Sequence, residues 1–183
     1  QITMEAAEDP EFLDAMRLRQ IDLLGHGFGA LVAAELAATR PAQVRRLVLV
    51  SPPHAADAAE PQLPVTPRDG NPLLEEEWRR AAAYCGSGAP PNAVIAALAE
   101  RLRNASAASD AAVAERGYAL LSRLAPLSVP LLVLRLRDDV APNRGQARDV
   151  PARARIVELP ERGASLFEAA PDDAAQALAP FLR

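Results

Sequence analysis

The sequence predicts an α/β protein, a mostly parallel sheet with flanking helices, and three observations carry that reading. Short apolar runs alternate with helix-length segments along the chain, the order expected when parallel strands are joined by helical crossovers. The runs "IDLL", "LVLV" and "LLVL" are apolar at nearly every position, as strands covered on both faces must be. A glycine-rich turn, "GHGFG" at 25–29, joins the first of these runs to a helix-like stretch.

Taken in order, the pattern predicts a helix over Met4–Met16, with Pro10 kinking it or marking its first turn. Ile21–Leu24 reads as a buried strand and Gly25–Gly29 as the turn after it. Phe28–Thr39 reads as a helix stopped at Arg40 and Pro41. Its Leu31, Val32, Ala33, Leu36 and Ala37 lie on every side, so it is expected to be buried. Leu47–Val50 is the next strand, broken by "SPP" at 51–53.

The character then changes. Ala55–Asn71 is rich in Pro, Ala and acidic residues and reads as an irregular excursion, followed by helical segments at Leu73–Tyr84, Asn92–Leu102 and Ala111–Leu124. The second of these places Val94, Ile95, Leu98 and Leu102 on one amphipathic stripe. Leu131–Leu134 resumes the strands, a short helix is expected around Gln146, and Arg155–Leu159 is the last strand. Pro171 opens a closing helix whose Ala174, Leu178, Phe181 and Leu182 share a face. No repeat of solenoid length is present.

Composition narrows the function classes. A chain of 183 residues that is 50% hydrophobic holds one domain with a real core and a modest excursion. A formal charge of −4 and the absence of any basic stripe leave nothing to neutralise phosphates, so no nucleic-acid partner is expected. The sequence contains neither an apolar run long enough to span a membrane nor a charged-then-apolar leader. Cys85, the single cysteine, permits no internal disulfide, and a cytoplasmic location is expected. Every basic residue is Arg and Ala is abundant, which hints at a GC-rich bacterial gene.

On "GHGFG", the chain resembles the α/β-hydrolase family, and the resemblance spans nearly all of it. In that family a strand ends in G-x-S-x-G, a strained elbow that lifts a nucleophilic Ser above the sheet, and the acid and the His follow in that chain order. Gly25, His26, Phe28 and Gly29 match, and the nucleophile position holds Gly27. Close packing of strand and helix is the expected reason for the two outer glycines. "RLVLVSPP" is similar to the strand that follows, and residues 54–129 stand where the family inserts a helical cap, leaving 1–53 and 130–183 as a partial core. "VPLLVLRLRDDVAP" is similar to the acid segment and puts Asp138 in the acid position, with Asp139 beside it and Arg135 where the family has Gly. "VELPERGASLFEAAPDDAAQALAPFL" is similar to the closing strand, loop and helix, where Gly-His-Ser is typical; Gly163, Ala164 and Ser165 stand there instead.

The resemblance thus implies a triad degenerate at Gly27 and Ala164, with only Asp138 retained. Acyl transfer by this route needs a hydroxyl or thiol and an imidazole in reach of its proton. His26 is expected to pack beneath the turn and His54 to lie on a surface loop; Ser51, Ser165 and Cys85 are nucleophiles in name only without a partnered base. The family's oxyanion hole would use the N–H of Phe28 and a second N–H from a loop that precedes these 183 residues. The expected function is binding or scaffolding, with a small apolar or acyl-like guest between Gly27, Phe28 and the cap residues Trp78, Tyr84 and Leu98. The alternative is an active hydrolase of an ester, lactone or carbon–carbon bond, completed by a partner chain or a mechanism without the triad. No cofactor or metal is expected.

By the family's register Gln1 falls just before the helix that leads into the elbow strand, so four strands of the sheet remain and Ile21–Leu24 becomes an open edge. Bare edges are templates for pairing. The expectation is that a separate N-terminal fragment, a partner subunit or a second copy completes this one, unless the missing strands simply precede Gln1 in a longer chain.

Overall fold

A computed structural model describes residues 11–53, 73–86, 89–104, 114–115, 117–137 and 150–183. Four strands, β1 (Ile21–His26), β2 (Val44–Val50), β3 (Leu131–Leu136) and β4 (Arg155–Leu159), form one sheet in the order β1-β2-β3-β4, and every neighbouring pair is parallel. Helix α1 (Glu11–Ala15) precedes β1, α2 (Phe28–Thr39) links β1 to β2, and α6 (Leu166–Ala169) and α7 (Pro171–Leu182) close the chain. Between β2 and β3 lie α3 (Leu73–Cys85), α4 (Pro91–Arg103) and the short α5 (Leu120–Leu124).

The period of two along each strand distributes the apolar runs to both faces. Leu47, Leu49, Leu131 and Val133 meet Ala30, Ala33, Ala34 and Ala37 of α2 on one face. Val48, Val50, Leu132 and Leu134 meet Leu166, Ala174, Leu178 and Phe181 of α6 and α7 on the other. A strand covered on both sides has no solvent-facing register, which is why "LVLV" and "LLVL" carry no polar residue. Four alanines on α2 let it approach the sheet closely, and its burial follows from that face. A third, smaller cluster of Ala81, Cys85 and Val94 holds α3 to α4.

Several elements differ from the sequence pattern, each for a physical reason. β1 runs two residues past Leu24, because Gly25 and His26 continue the ladder opposite Leu49 and Val50. The predicted helix over Ala111–Leu124 is interrupted at Tyr118 and Ala119; the Tyr118 hydroxyl donates to the Glu35 carboxylate at 3.0 Å, an anchor on α2 that local periodicity does not reveal. The stripe on α4 divides, since Val94 and Leu98 pack toward α3 while Ile95 and Leu102 are exposed. Of the first predicted helix, residues 11–16 lie within the described residues and are helical over Glu11–Ala15, with Met16 in the turn that follows; nothing of the helix around Gln146 lies within them.

β1 is the outer strand of the described sheet, and β4 forms the other edge. On β1, Asp22 sits opposite Arg46 in the parallel register and also pairs with Arg45. Arg46 donates onward to the carbonyls of Leu182 and Arg183, tying the end of α7 to the sheet. No described helix is long and apolar enough to cross a membrane.

Candidate functional site

A parallel sheet brings all its strand C-termini to one end, the end at which open α/β sheets bind ligands. Here a row of backbone hydrogen bonds runs along that end. Gly27 N–H donates to the Val50 carbonyl (2.9 Å), Ser51 N–H to the Leu134 carbonyl (2.9 Å), and Arg137 N–H to the Arg162 carbonyl (2.8 Å). The elbow, the end of β2, the start of the acid segment and the loop after β4 are thereby laced together. Asp138, Asp139 and His54 lie outside the described residues.

At the elbow the backbone turns sharply. Gly27 adopts φ 55°, ψ −125° and caps α2 without a side chain, while its carbonyl accepts from Ala30 N–H at 2.9 Å. An L-residue held there is strained, a feature that persists where the surroundings enforce it. A Cβ built on Gly27 meets no atom of the described residues within 4 Å. Gly25 is different: a Cβ there would lie 2.2 Å from the Gly29 carbonyl oxygen and 2.7 Å from the Ala30 Cα. The strand must be bare where the first turn of α2 crosses it. A Cβ on Gly29 meets no atom of the described residues within 4 Å, so among them the steric reason expected for both outer glycines applies to Gly25 alone.

Three strand spacings separate β1 from β4, about 14 Å in a flat sheet, yet the chain after β4 folds back over the sheet end. The His26 ring meets Phe167 edge-on, with centroids 6.0 Å apart and planes inclined by 70°. The residue before Gly27 therefore touches the residue three after Ala164. Burial lowers the His26 pKa from its ordinary value, opposed in part by the Glu168 carboxylate, so the imidazole is neutral at pH 7. It packs as an aromatic, in keeping with the structural role expected of it.

The loop itself holds Gly163 buried, Ala164 half-buried and Ser165 buried. The Ser165 hydroxyl donates to the Cys85 carbonyl at 2.8 Å, which occupies its proton. Burial, reinforced by Glu168, pushes the Cys85 thiol pKa up, keeping it in the poorly nucleophilic protonated form. Ser51 sits at the end of β2 with φ 43°.

The other expected wall residues are spread along the helix pair. Tyr84 lies at the end of α3 beside the loop, accepting Ser165 N–H on its carbonyl at 3.2 Å. Leu98 packs against the Ala81–Cys85–Val94 cluster. Trp78 is 40% exposed on α3, six residues before Tyr84. Arg135, where the resemblance led to a Gly, forms an ion pair with its cross-strand partner Glu158 at 2.7 Å. A cavity of about 390 Å³ lined by Leu13, Arg17, Arg19 and Gln43 lies at the opposite end of β1, away from the elbow. No group of three or more metal-binding side chains occurs among the described residues.

Comparison with known proteins agrees with this geometry. A hydrolase from Pseudomonas aeruginosa superimposes with a TM-score of 0.74 at 26% identity, over 98% of this chain and 72% of its own. Est816, described as an N-acyl homoserine lactone degrading enzyme, gives 0.73 at 18% identity over 97% and 74%. A bromoperoxidase from Bacillus anthracis gives 0.72 at 13% identity over 94% and 70%. The last two likenesses speak to fold alone. The model of the alpha/beta hydrolase family matches residues 3–177, nearly the whole chain. With the parallel sheet, the turn at Gly27 and the folded-back loop after β4 all in place, the chain belongs to the α/β-hydrolase family.

Proposed function

We propose that this family member is catalytically blank and serves as a binding or scaffold subunit, with Gly27 in the nucleophile position and Ala164 in the base position. The observation that carries this reading is the elbow: the strained backbone is present at φ 55°, and no side chain stands on it. Attack on a carbonyl needs a proton-accepting partner as well as an oxygen or sulfur. Ser165 and Cys85 are each engaged or protonated, and His26 is turned against Phe167. With no described atom within 4 Å of a Cβ on Gly27, a small apolar or acyl-like guest fits this reading between Phe28 and the residues of 54–129, with Tyr84 on the wall beside the loop. Asp138, lacking an imidazole to orient, serves no catalytic purpose in this reading.

The outer side of β1, unpaired among the described residues, belongs to the same proposal: a strand from a separate fragment, a partner or a second copy pairs with Ile21–Leu24. Size-exclusion chromatography of the purified protein checks it, and a stable dilute monomer would count against it.

Turnover of a chromogenic acyl ester tests the main claim. The unmodified protein is expected to match buffer, and the Gly27→Ser, Ala164→His double variant to exceed it if the geometry is intact. Turnover by the unmodified protein would favour the rival reading, an active ester, lactone or carbon–carbon hydrolase completed by a partner's residues; the 26% identity to a hydrolase keeps that rival in view.

A further inference from the structure

Ser165 is the one buried polar residue among the described residues, at 5% exposure. Its two donors both point at the end of α3: the hydroxyl to the Cys85 carbonyl at 2.8 Å, the N–H to the Tyr84 carbonyl at 3.2 Å. Carbonyls in the last turn of a helix have no donor within the helix and must find one elsewhere. Gly163 presses against the same end, where a Cβ would stand 3.1 Å from the Tyr84 oxygen and 3.4 Å from Gly86 Cα. Gly86, at φ 85°, ends the helix in the left-handed region. Behind this contact Cys85 packs with Ala81 and Val94, so whatever holds the end of α3 also holds α4. No strand of the sheet packs extensively on either helix among the described residues.

We infer that the Gly163–Ser165 loop is the seat that fastens the α3–α4 pair to the sheet, with Ser165 as its positioning residue. The pair swings away from the elbow only when the two Ser165 hydrogen bonds break together. The site whose imidazole is absent is thus a mechanical clamp on the insertion, and this holds whether or not the protein turns anything over. Losing the hydroxyl leaves the Cys85 carbonyl buried without a donor, a loss that falls on the clamp and not on the sheet.

Cys85 is the only cysteine and sits inside the clamped cluster, so its thiol reports opening directly. In Ser165→Ala, labelling of the folded protein by an aryl disulfide reagent is expected to run about tenfold faster than in the unmodified protein, the effect of one buried donor removed. Gly163→Ala, whose new Cβ crowds the Tyr84 carbonyl, is expected to accelerate it too, and supplies the answer should Ser165→Ala not fold. Leu124→Ala, in the cluster under α2, lowers the melting temperature but leaves the labelling rate of the folded protein unchanged. Labelling of folded Ser165→Ala within twofold of the unmodified rate would overturn the inference. So would equal acceleration by Leu124→Ala, because Cys85 would then be exposed only by global unfolding.

Discussion

The elbow carries no side chain at Gly27 and the loop after β4 carries only a methyl group at Ala164, and the two backbones are held in different ways. At the elbow the turn is set by backbone alone: Gly27 stands at φ 55°, bonded to Val50 and Ala30, with no described atom within 4 Å of where a Cβ would rise. At the loop, both donors of Ser165, the residue after Ala164, are taken up in holding the end of α3. The difference shows what each backbone is for. The elbow is fixed by the crossing of β1 and α2, which needs Gly25 whether or not anything reacts at Gly27. The loop is fixed by what it grips.

The largest expected effect breaks the elbow itself. Gly25→Ala puts a methyl group 2.2 Å from the Gly29 carbonyl and 2.7 Å from the Ala30 Cα, both backbone atoms that cannot swing aside. A loss of about 4 kcal/mol or more is expected in chemical denaturation, with failure to fold as its extreme. The loop comes next: Ser165→Ala should cost about 2 kcal/mol, because a buried carbonyl loses its donor. Gly27→Ser should cost only about 1 kcal/mol by the same measurement, since the strain of positive φ is added but no atom of the described residues crowds the Cβ. If Gly27→Ser proved as damaging as Gly25→Ala, the contrast between a steric glycine and a conformational one would fail.

The smallest effect joins the two regions through His26. Its folded pKa is lowered, so the unfolded chain binds the proton more readily and stability rises with pH across this window. The contribution is fully present above the unfolded value near 6.5 and is lost as pH falls through the lowered folded value. Denaturation midpoints at pH 7.5 and 5.5 should therefore differ in that direction, and His26→Phe should remove this part of the difference.

Much of this was legible in the residues. The doubly buried strands around Leu47–Val50 and Leu131–Leu134 announce themselves because both faces are covered, and the elbow follows from glycines spaced between a strand and a helix. What hid were features set by tertiary partners. Tyr118 breaks a helical pattern because Glu35, 83 residues earlier, accepts its hydroxyl proton. Ile95 and Leu102 fit the stripe of α4 yet face outward, since α3 covers only the Val94–Leu98 side. The clamp had one local sign, the Gly86 that ends α3, but its partner Ser165 lies 79 residues on and reads there only as a nominal nucleophile. Arg135 likewise reads as a departure until Glu158 appears opposite it.

The central claim is that no activated nucleophile stands on the elbow, and covalent labelling tests it most directly. A fluorophosphonate probe, which reacts with hydroxyls activated by a neighbouring base, should leave the unmodified protein unlabelled at pH 7.5 by intact mass, while the Gly27→Ser, Ala164→His variant gains one adduct on the serine introduced at the elbow. A stoichiometric adduct on the unmodified chain, mapped to any serine of the sheet's C-terminal end, would contradict the account.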